Sequence, residues 1–345
     1  MTIEKILETL TLDQKLAQLT AEGSSGCYLK DGTFDSEKAR RNCPHGIGGM
    51  MVPIDLTPDE IGRWVCEMRK CFAELSPVPP LLMCESLHGV LGKGTTVFPQ
   101  SIGMGASFDP GLLYKVGEAI GREAKALGIR MSLAPDLDLG REPRWGRIEE
   151  TYGESSYLTG CMGEAYVKGL LADDGKYAPV VKHFAAHGSP EGGINIAPVT
   201  VTPQELEDKY LPPFKKALDA GARGVMPAYS ALNGIPCHSN TLLMNEILRE
   251  RWGFDGVVVS DFGGIQMLGY FHRSVENNAE AGLLAMAHGM DLQVPPILPA
   301  EKWKELIAEG RISEEVIDNA VRRILKLKME LGLFALPEPD RKSVV

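Results

Sequence analysis

Short apolar runs, each followed by a polar or charged residue, alternate along most of this chain with longer segments of helical periodicity. Such runs are typical of strands that are buried on both faces. The predicted strands cover residues 81–84, 129–134, 179–181, 224–226, 257–259 and 290–294. The first five lead into polar residues, which are Glu85, Asp136, Lys182, Tyr229 and Asp261.

Segments with apolar residues at helical spacing lie between these runs. The predicted helices cover residues 3–20, 111–127, 154–171, 203–220, 241–251, 275–288 and 313–331, and another begins at Thr57-Pro58. Thr11 and Gln14 have the spacing of a capping box inside the first helix. Residues 21–56 are rich in Gly, Ser and Cys and are predicted to form loops.

Strands that alternate with helices predict a parallel sheet with helices outside it. A doubly wound sheet would normally carry a glycine-rich phosphate loop after its first strand. The strand at 81–84 leads instead into the side chains of ESLHG. A barrel keeps polar strand ends at its functional face. We therefore predict a (β/α)8 TIM-like barrel, with room for distortion at the first strands, over residues 1–334. Residues 335–345, with two prolines among charged residues, are predicted to be a linker.

Composition excludes several classes of partner. The net charge of −10 argues against nucleic acid, whose phosphates would repel the chain. No run approaches 18 apolar residues, so no membrane span is expected. The N-terminus lacks the basic start and apolar run of a signal peptide, and the seven cysteines show no CxxC spacing. These features predict a cytoplasmic protein without a cysteine-based metal site or an organic cofactor.

The segment GFDGVVVSDFGG places Asp261 directly after a buried strand and before Phe262 and two glycines. A carboxylate at this position in a barrel is well placed for chemistry, and the glycines leave it open to a ligand. Asp261 is therefore the candidate nucleophile. Asp also caps helices well, so capping of the following helix is the competing interpretation.

The pair Lys182-His183 ends another predicted strand. Lysine is rarely buried without a partner, which favours a functional role for this pair. Glu85 and Arg147 belong to neighbouring strand ends, and all four side chains can bind hydroxyl groups. Arg147 lies in REPRWGR, whose arginines could instead form surface ion pairs with nearby glutamates.

A metal enzyme is a weaker alternative. His183 and His187 are four residues apart, and Asp261 and Glu85 could complete a ligand set. The sequence contains neither HxH nor HExxH, and the two histidines follow a strand rather than share a helix face. No metal is therefore expected.

Taken in order, the motifs closely resemble the N-terminal catalytic barrel of glycoside hydrolase family 3, the β-glucosidase and β-xylosidase family. The resemblance covers nearly the whole chain, from TLDQKLAQLT to LGLF. The motifs that carry it are ESLHG (85–89), FPQSIGMGASFD (98–109), REPRWGRIEETYGE (141–154), VKHFAAHG (181–188), VMPAYSALNG (225–234) and GVVVSDFGG (256–264).

The resemblance implies a retaining, exo-acting β-glycosidase, most simply a β-glucosidase, that acts on a small carbohydrate through a covalent glycosyl-Asp261 intermediate. It implies that Lys182 and His183 hold sugar hydroxyls and that Glu85 stands where many members have Asp. It places Arg147 as the sugar-binding arginine. Met226 and Tyr229 match the family's MxxY element, in which the tyrosine lies beside the nucleophile.

Retaining hydrolysis requires a proton donor, and no residue of this sequence clearly matches the one that the family uses. In most two-domain members a following domain supplies it, so a C-terminal domain beyond the linker, or a partner chain, is expected to do so here. Single-domain members use a histidine from an Asp-x-His motif in the loop after the KH pair. Residues 187–198, which form this loop here, contain no Asp-x-His motif. Glu191 is the one carboxylate in this loop. A carbohydrate-binding barrel with little turnover is the alternative function.

Overall fold

The computed structural model of the protein describes residues 2–23 and 28–335. Seven strands of this part of the chain form one curled sheet in which every neighbouring pair is parallel. In chain order they are β1 (Ala21–Glu22), β2 (Gly49–Met51), β3 (Leu81–Cys84), β4 (Met131–Ser132), β5 (Ala178–Phe184), β6 (Gly224–Pro227) and β7 (Val257–Val258). Two short antiparallel hairpins lie outside it, Leu29–Lys30 with Thr33–Phe34 and Ala231–Leu232 with Ile235–Pro236.

Residues 292 and 293 take the eighth strand position and close the sheet. Leu292 pairs in parallel with Val259, next to β7, and Gln293 pairs in parallel with Thr20, next to β1. The backbone N–H of Gln293 donates to the carbonyl of Leu19 at 2.9 Å. The predicted (β/α)8 TIM-like barrel is thus confirmed, with the predicted strand at 290–294 reduced to these bridges.

Helices follow the strands in the alternation that the sequence predicts. The longest pair, Pro110–Ala126 and Ser156–Leu170, packs closely because Gly169 brings its backbone against that of the first helix. The α-helices are Ile3–Thr9, Leu12–Gln18, Ser36–Asn42, Pro58–Leu75, Ser101–Gly105, Pro110–Ala126, Ser156–Leu170, Pro203–Glu205, Leu211–Asp219, Gly264–Tyr270, Asn278–Ala287, Ala300–Ala308 and Glu314–Glu330, and Leu206–Tyr210 and Leu242–Arg251 are π-helical. Within the described residues, no helix has the length and apolar character needed to cross a membrane.

The predicted single helix at 3–20 is wrong, because Thr11 starts a second helix. Its hydroxyl accepts from the N–H of Gln14, and the Gln14 side chain accepts from the N–H of Thr11. This capping box satisfies the free N–H groups at the start of Leu12–Gln18. The predicted cap was correct, and it marks a boundary between helices.

The prediction of loops over residues 21–56 is also wrong. The segment contains β1, β2 and the helix Ser36–Asn42. The sequence around these strands carries glycines and polar residues in place of an uninterrupted apolar run. Glycine is needed at position 48, where a Cβ would overlap the Gln18 carbonyl. Backbone packing, rather than apolar side chains, therefore specifies this part of the barrel.

The carboxyl ends of all the parallel strands open onto one face. Glu85 follows β3, Asp136 follows β4, Lys182 lies near the end of β5, Tyr229 follows β6 and Asp261 follows β7. The polar residues identified from the sequence therefore meet at one end of the barrel. Of the predicted linker at 335–345, all but Ala335 lies outside the described residues.

Candidate active site

The Asp261 side chain is almost fully buried at this face, with 8% of the residue exposed. Its Oδ1 accepts from the N–H of Phe262 at 2.7 Å, while Oδ2 has no hydrogen-bond partner among the described residues. Burial raises the pKa of Asp261 to about 6, against the opposing effects of Lys182, Tyr229 and Arg147. At neutral pH the carboxylate is therefore mainly ionised, with one oxygen that no hydrogen bond from the described residues engages.

The capping interpretation of Asp261 does not hold. The following helix, Gly264–Tyr270, has Gly263 at its N-cap position and no side-chain cap. Gly263 has a φ of 71°, a left-handed conformation that glycine adopts readily. The turn thus directs the Asp261 carboxylate to its own neighbour rather than to the helix.

Lys182 and Glu85 form a close ion pair. The Lys182 Nζ donates to Glu85 Oε2 at 2.8 Å, and the lysine side chain is 4% exposed against 43% for the glutamate. Although burial opposes the charge on the lysine, the Glu85 carboxylate, aided by Asp261 and Glu150, raises the Lys182 pKa. The pair presents a fixed cation near Asp261 and a partly open carboxylate.

His183 connects Asp261 to a buried acidic residue. Its Nδ1 lies 2.7 Å from Asp138 Oδ2, and its Nε2 lies 3.1 Å from an Arg147 nitrogen and 3.5 Å from Asp261 Oδ2. Arginine can only donate, so His183 Nε2 is the acceptor and Nδ1 carries the proton. Burial, and then the charge of Arg147, lower the His183 pKa well below its ordinary value, so the ring is neutral.

The arginine-rich loop at 141–147 forms a surface ion pair and also contributes an arginine to the site. Arg144 pairs with Glu142 on the surface. Arg147 turns inward, where it forms two hydrogen bonds with Glu150, at 2.7 and 2.8 Å, and contacts His183. Glu150 therefore fixes the guanidinium from one side while the other side faces the site.

Tyr229 and Met226 lie where the sequence places them. Met226 is buried in β6, and Tyr229 follows the strand. The Tyr229 hydroxyl donates to the carbonyl of Phe262 at 2.9 Å. The tyrosine thus holds the residue next to Asp261.

Asp136, Asp138 and His183 bring three potential metal ligands within 4.8 Å of one another, all buried. Asp136 Oδ1 accepts from the N–H of Asp138 at 2.8 Å, while Asp136 Oδ2 and Asp138 Oδ1 have no hydrogen-bond donor among the described residues. Burial raises the pKa of both carboxyl groups. By its donor atoms, the cluster can accommodate a proton or a cation.

Comparisons with known proteins agree with the motifs. The model of the glycosyl hydrolase family 3 N-terminal domain matches residues 11–327. The chain belongs to this family. A putative β-xylosidase from Formosa agariphila is 32% identical over 361 residues, which cover 99% of this chain and 47% of the relative. A periplasmic β-glucosidase from Salmonella typhimurium is 37% identical over 264 residues, which cover 75% of this chain and 34% of the relative.

Solved structures give the same result for the fold. A β-glucosidase from Erythrobacter marinus has a TM-score of 0.93 at 32% identity, over 99% of this chain and 46% of that one. A β-glucosidase from Listeria innocua, in complex with glucose, has a TM-score of 0.88 at 30% identity, over 99% and 49%. The chain thus spans less than half of the length of each relative named here.

The glycoside hydrolase family 3 barrel also contains site residues that sequence reasoning missed. Asp138 and His238 contact His183 and Asp261, respectively. The run PDLD, with two carboxylates in alternate positions after a strand, was a usable signal for Asp138. His238 follows a hairpin and lacks any local pattern, so only the structure reveals it.

The loop at 187–198 is fastened to the arginine-rich loop of the family 3 barrel. The Trp145 indole N–H donates to Asn195 Oδ1 at 2.8 Å, and the Trp145 and His187 rings meet edge-on. His187 is fully buried, with Nδ1 3.1 Å from the Ser230 hydroxyl. Glu191 is exposed, and its side chain accepts from the Thr200 hydroxyl at 3.5 Å.

An aromatic ring borders Asp261. Phe262 is 53% exposed, and its ring lies over Gly23 at the end of β1 and beside Val294. A Cβ at position 23 would overlap this ring. The site of the family 3 barrel therefore has an apolar wall next to Asp261 and a charged side at Lys182.

Proposed function

We propose that the protein is a retaining, exo-acting β-glycosidase, most simply a β-glucosidase, that releases the terminal non-reducing sugar. One observation carries the proposal. Asp261 is a buried, ionisable carboxylate with Oδ1 anchored and Oδ2 free, at the carboxyl end of a barrel strand. A free oxygen on an anchored carboxylate is what a glycoside nucleophile requires.

In this mechanism Asp261 Oδ2 attacks the anomeric carbon as the bond to the leaving oxygen breaks. The leaving oxygen takes a proton from an acid, and a covalent glycosyl-Asp261 ester remains. Water, deprotonated by the same group, then attacks the anomeric carbon and frees the carboxylate. Two displacements retain the β configuration.

The sugar hydroxyls would be bound by the polar residues around the nucleophile. Lys182 can donate, Glu85 accepts with its partly open carboxylate, and the His183 Nε2 can accept where a sugar hydroxyl takes the place of the Arg147 N–H. Arg147 contacts His183 at this same nitrogen. Hydroxyls both donate and accept, so a carbohydrate matches this mixed set of charged groups better than an apolar ligand does.

The relatives support both β-glucosides and β-xylosides as substrates, because their names include β-glucosidases and β-xylosidases. Glucose carries one hydroxymethyl group more than xylose. A comparison of aryl β-glucoside with aryl β-xyloside therefore measures which sugar the site near Glu85 accepts. We favour the glucoside because the structural neighbours are β-glucosidases.

The group that protonates the leaving oxygen and later deprotonates water, the acid/base, is proposed separately from the nucleophile. Retaining enzymes hold their two carboxyl groups about 5–5.5 Å apart. We propose that a C-terminal domain or a partner chain supplies the second group, since the relatives are about twice as long. Glu191, on its exposed turn, is the alternative within this chain. A cytoplasmic location stays a prediction.

Trapping of the intermediate tests the nucleophile directly. An activated 2-fluoro β-glucoside needs little protonation of its leaving group, so the first displacement should proceed without the acid. We expect intact-mass analysis to show one added sugar per chain, and peptide mapping to place it on Asp261.

Two variants make the test specific. Asp261→Asn should take up no label, whereas Asp219→Asn, which changes an exposed carboxylate paired with Lys215, should label like the parent. A label on another residue would disprove the nucleophile assignment. Sugar binding without labelling would indicate a carbohydrate-binding barrel.

A further inference from the structure

The buried acidic pair behind His183 has a geometry that sugar binding does not explain. Asp136 and Asp138 are 0% and 1% exposed, on the loop after β4. Asp138 Oδ2 accepts from both the backbone N–H of His183, at 3.3 Å, and the ring Nδ1, at 2.7 Å. One carboxylate oxygen thus binds His183 at two points and fixes the orientation of its ring.

The remaining oxygens of the pair lack donors. Asp136 Oδ2 and Asp138 Oδ1 are buried without a hydrogen-bond donor among the described residues. The two buried carboxyl groups have oxygens within 4.8 Å of each other, so both cannot remain ionised at low cost, and one proton held between the groups would relieve their repulsion. Burial raises the pKa of both groups, and the Asp138 charge raises that of Asp136 further.

The charge balance of the surroundings also favours an added proton. The charged groups that face the pair or its histidine are Arg147 and Glu150 from the loop after β4, Lys182 from β5 and Asp261 after β7, and the neutral rings of His187 and His238 also face His183. In this described set, four carboxylates, counting the pair, face two cations. A proton on the pair reduces that excess of negative charge where water is excluded.

A metal ion fits the distances less well. Two ligands of one zinc or magnesium ion, each about 2.0–2.1 Å from it, lie roughly 3 Å or more apart. His183 Nδ1 and Asp138 Oδ2 are 2.7 Å apart, which is a hydrogen-bond distance. The guanidinium of Arg147, next to His183, also repels a cation.

We propose that Asp136 and Asp138 share one buried proton and hold His183 as the neutral Nδ1–H tautomer, with its Nε2 lone pair facing Arg147 and the nucleophile. Asp138 is thus a positioning residue for His183, and Asp136 supports it. The catalytic consequence rests on the proposed function, but the tautomer and the shared proton do not.

The tautomer can be measured in the resting protein by NMR with ¹⁵N-labelled histidine. The His183 signals are identified by their loss in His183→Gln. We expect a protonated Nδ1 and an unprotonated Nε2. A protonated Nε2, or an imidazolium ring at neutral pH, would overturn the proposal.

Two substitutions at position 138 separate positioning from general structural support. Asp138→Asn keeps a carbonyl oxygen that can accept from both N–H groups of His183, so the Nδ1–H tautomer should persist. Asp138→Leu removes the acceptor and leaves the Arg147 contact as the one interaction that favours the Nδ1–H tautomer, so the Nε2–H tautomer should become detectable. Equal tautomer populations in the parent and Asp138→Leu would show that Asp138 does not control the ring.

The shared proton has its own measurement. Infrared spectra at pH 8 should show the carbonyl band of an un-ionised buried carboxylic acid in the parent, and the band should be absent from Asp136→Asn, whose amide donates in place of the proton. A parent without the band, or stoichiometric bound metal found by elemental analysis, would overturn this part.

Activity links the inference to the proposed function. With the activated glucoside, Asp138→Leu should form the glycosyl ester about 100-fold more slowly, and Asp138→Asn should recover most of that loss. Equal losses in both variants would mean that tautomer control has no catalytic role. A parent that shows the tautomer but never labels would instead disprove the proposed function alone.

Discussion

The Nε2 atom of His238 accepts a hydrogen bond from the backbone N–H of Asp261 at 3.1 Å. The other ring nitrogen, Nδ1, lies 3.1 Å from the carbonyl of Ala228, which can only accept. The two contacts together require the neutral Nδ1–H tautomer. Burial lowers the His238 pKa to about 3, so this arrangement persists across the working pH range. His238 therefore ties the nucleophile to the segment after β6.

Loss of this acceptor should weaken catalysis more than binding. In His238→Leu the Asp261 N–H is buried without a partner, which costs about 1–3 kcal/mol and lets the carboxylate move. We expect kcat on an aryl β-glucoside to fall about tenfold or more, with KM changed less than threefold. His238→Gln, which keeps an acceptor, should recover part of the rate. A change confined to KM would contradict this role.

Asp261→Asn should remove activity and stabilise the fold at neutral pH. The folded-state pKa of Asp261 is raised to about 6, so ionisation of the buried carboxyl destabilises the native state. In the parent, stability should fall as pH rises from about 4 to 6, and the cost, about 3 kcal/mol, should be fully present above that range. The asparagine does not ionise and avoids this cost.

Thermal unfolding at two pH values checks whether ionisation of Asp261 lowers the stability of the fold. The variant should have the higher Tm at pH 7, and the difference should nearly vanish at pH 4, where the parent carboxyl is protonated. The exposed-site control Asp219→Asn should show no comparable difference. A lower Tm for Asp261→Asn at pH 7 would mean that the attraction of Lys182 and Arg147 outweighs burial.

The rate of the first displacement should follow the ionisation of the same carboxyl. Only ionised Asp261 attacks, and its pKa is raised to about 6. The labelling rate with an activated glucoside should therefore be level above about pH 7 and fall roughly tenfold per pH unit well below pH 6. Stopped-flow release of the aryl group measures this profile. A level rate down to pH 4 would contradict the assignment.

The sequence identified the strands that carry obvious apolar runs and the polar residues that follow them. It failed at β1 and β2, where glycines let backbones approach and interrupt the apolar run that a buried strand usually shows. It also failed to divide the first helical segment at Thr11, because apolar periodicity continues across the cap. Pattern reasoning thus succeeds where side chains specify the element and fails where backbone packing does.

The site residues, like the strands, were predicted from the sequence only in part. Asp261, Lys182 and Arg147 could be identified from the sequence because charged residues that follow buried strands are unusual. The part played by His238 depends on a contact across 23 positions of the chain, and that of Asp138 on one across 45. The run PDLD marks Asp138 as a candidate but not its contact with His183, and His238 has no local pattern, so the contacts that orient the reacting groups emerge only from the fold.

The Lys182–Glu85 pair should be coupled in catalysis. Charge-assisted hydrogen bonds are worth about 1.5–3 kcal/mol, so Lys182→Met and Glu85→Gln should each lower kcat/KM by about 10–100-fold. The two losses should not add in the double variant, because each residue orients the other at 2.8 Å. A double-mutant cycle on an aryl β-glucoside measures this coupling. Strictly additive losses would show that the residues bind the sugar independently.

Asp291 should be required for closure of the barrel rather than for chemistry. It is fully buried, and its carboxylate accepts from Arg249 at 2.9 Å, from Arg323 at 2.7 Å and from the N–H of Val258 in β7 at 2.8 Å. It directly precedes the segment at 292–293 that joins β7 to β1.

Asp291→Ala would leave two arginines without their shared partner, and removal of one member of a buried ion pair costs about 3–5 kcal/mol. We expect denaturant unfolding to show a loss of this size, while the folded fraction still forms the Asp261 ester. Asp219→Ala, which breaks a surface pair with Lys215, should cost less than about 1 kcal/mol. Equal losses in the two variants would show that the eighth strand position is held by its backbone bridges alone.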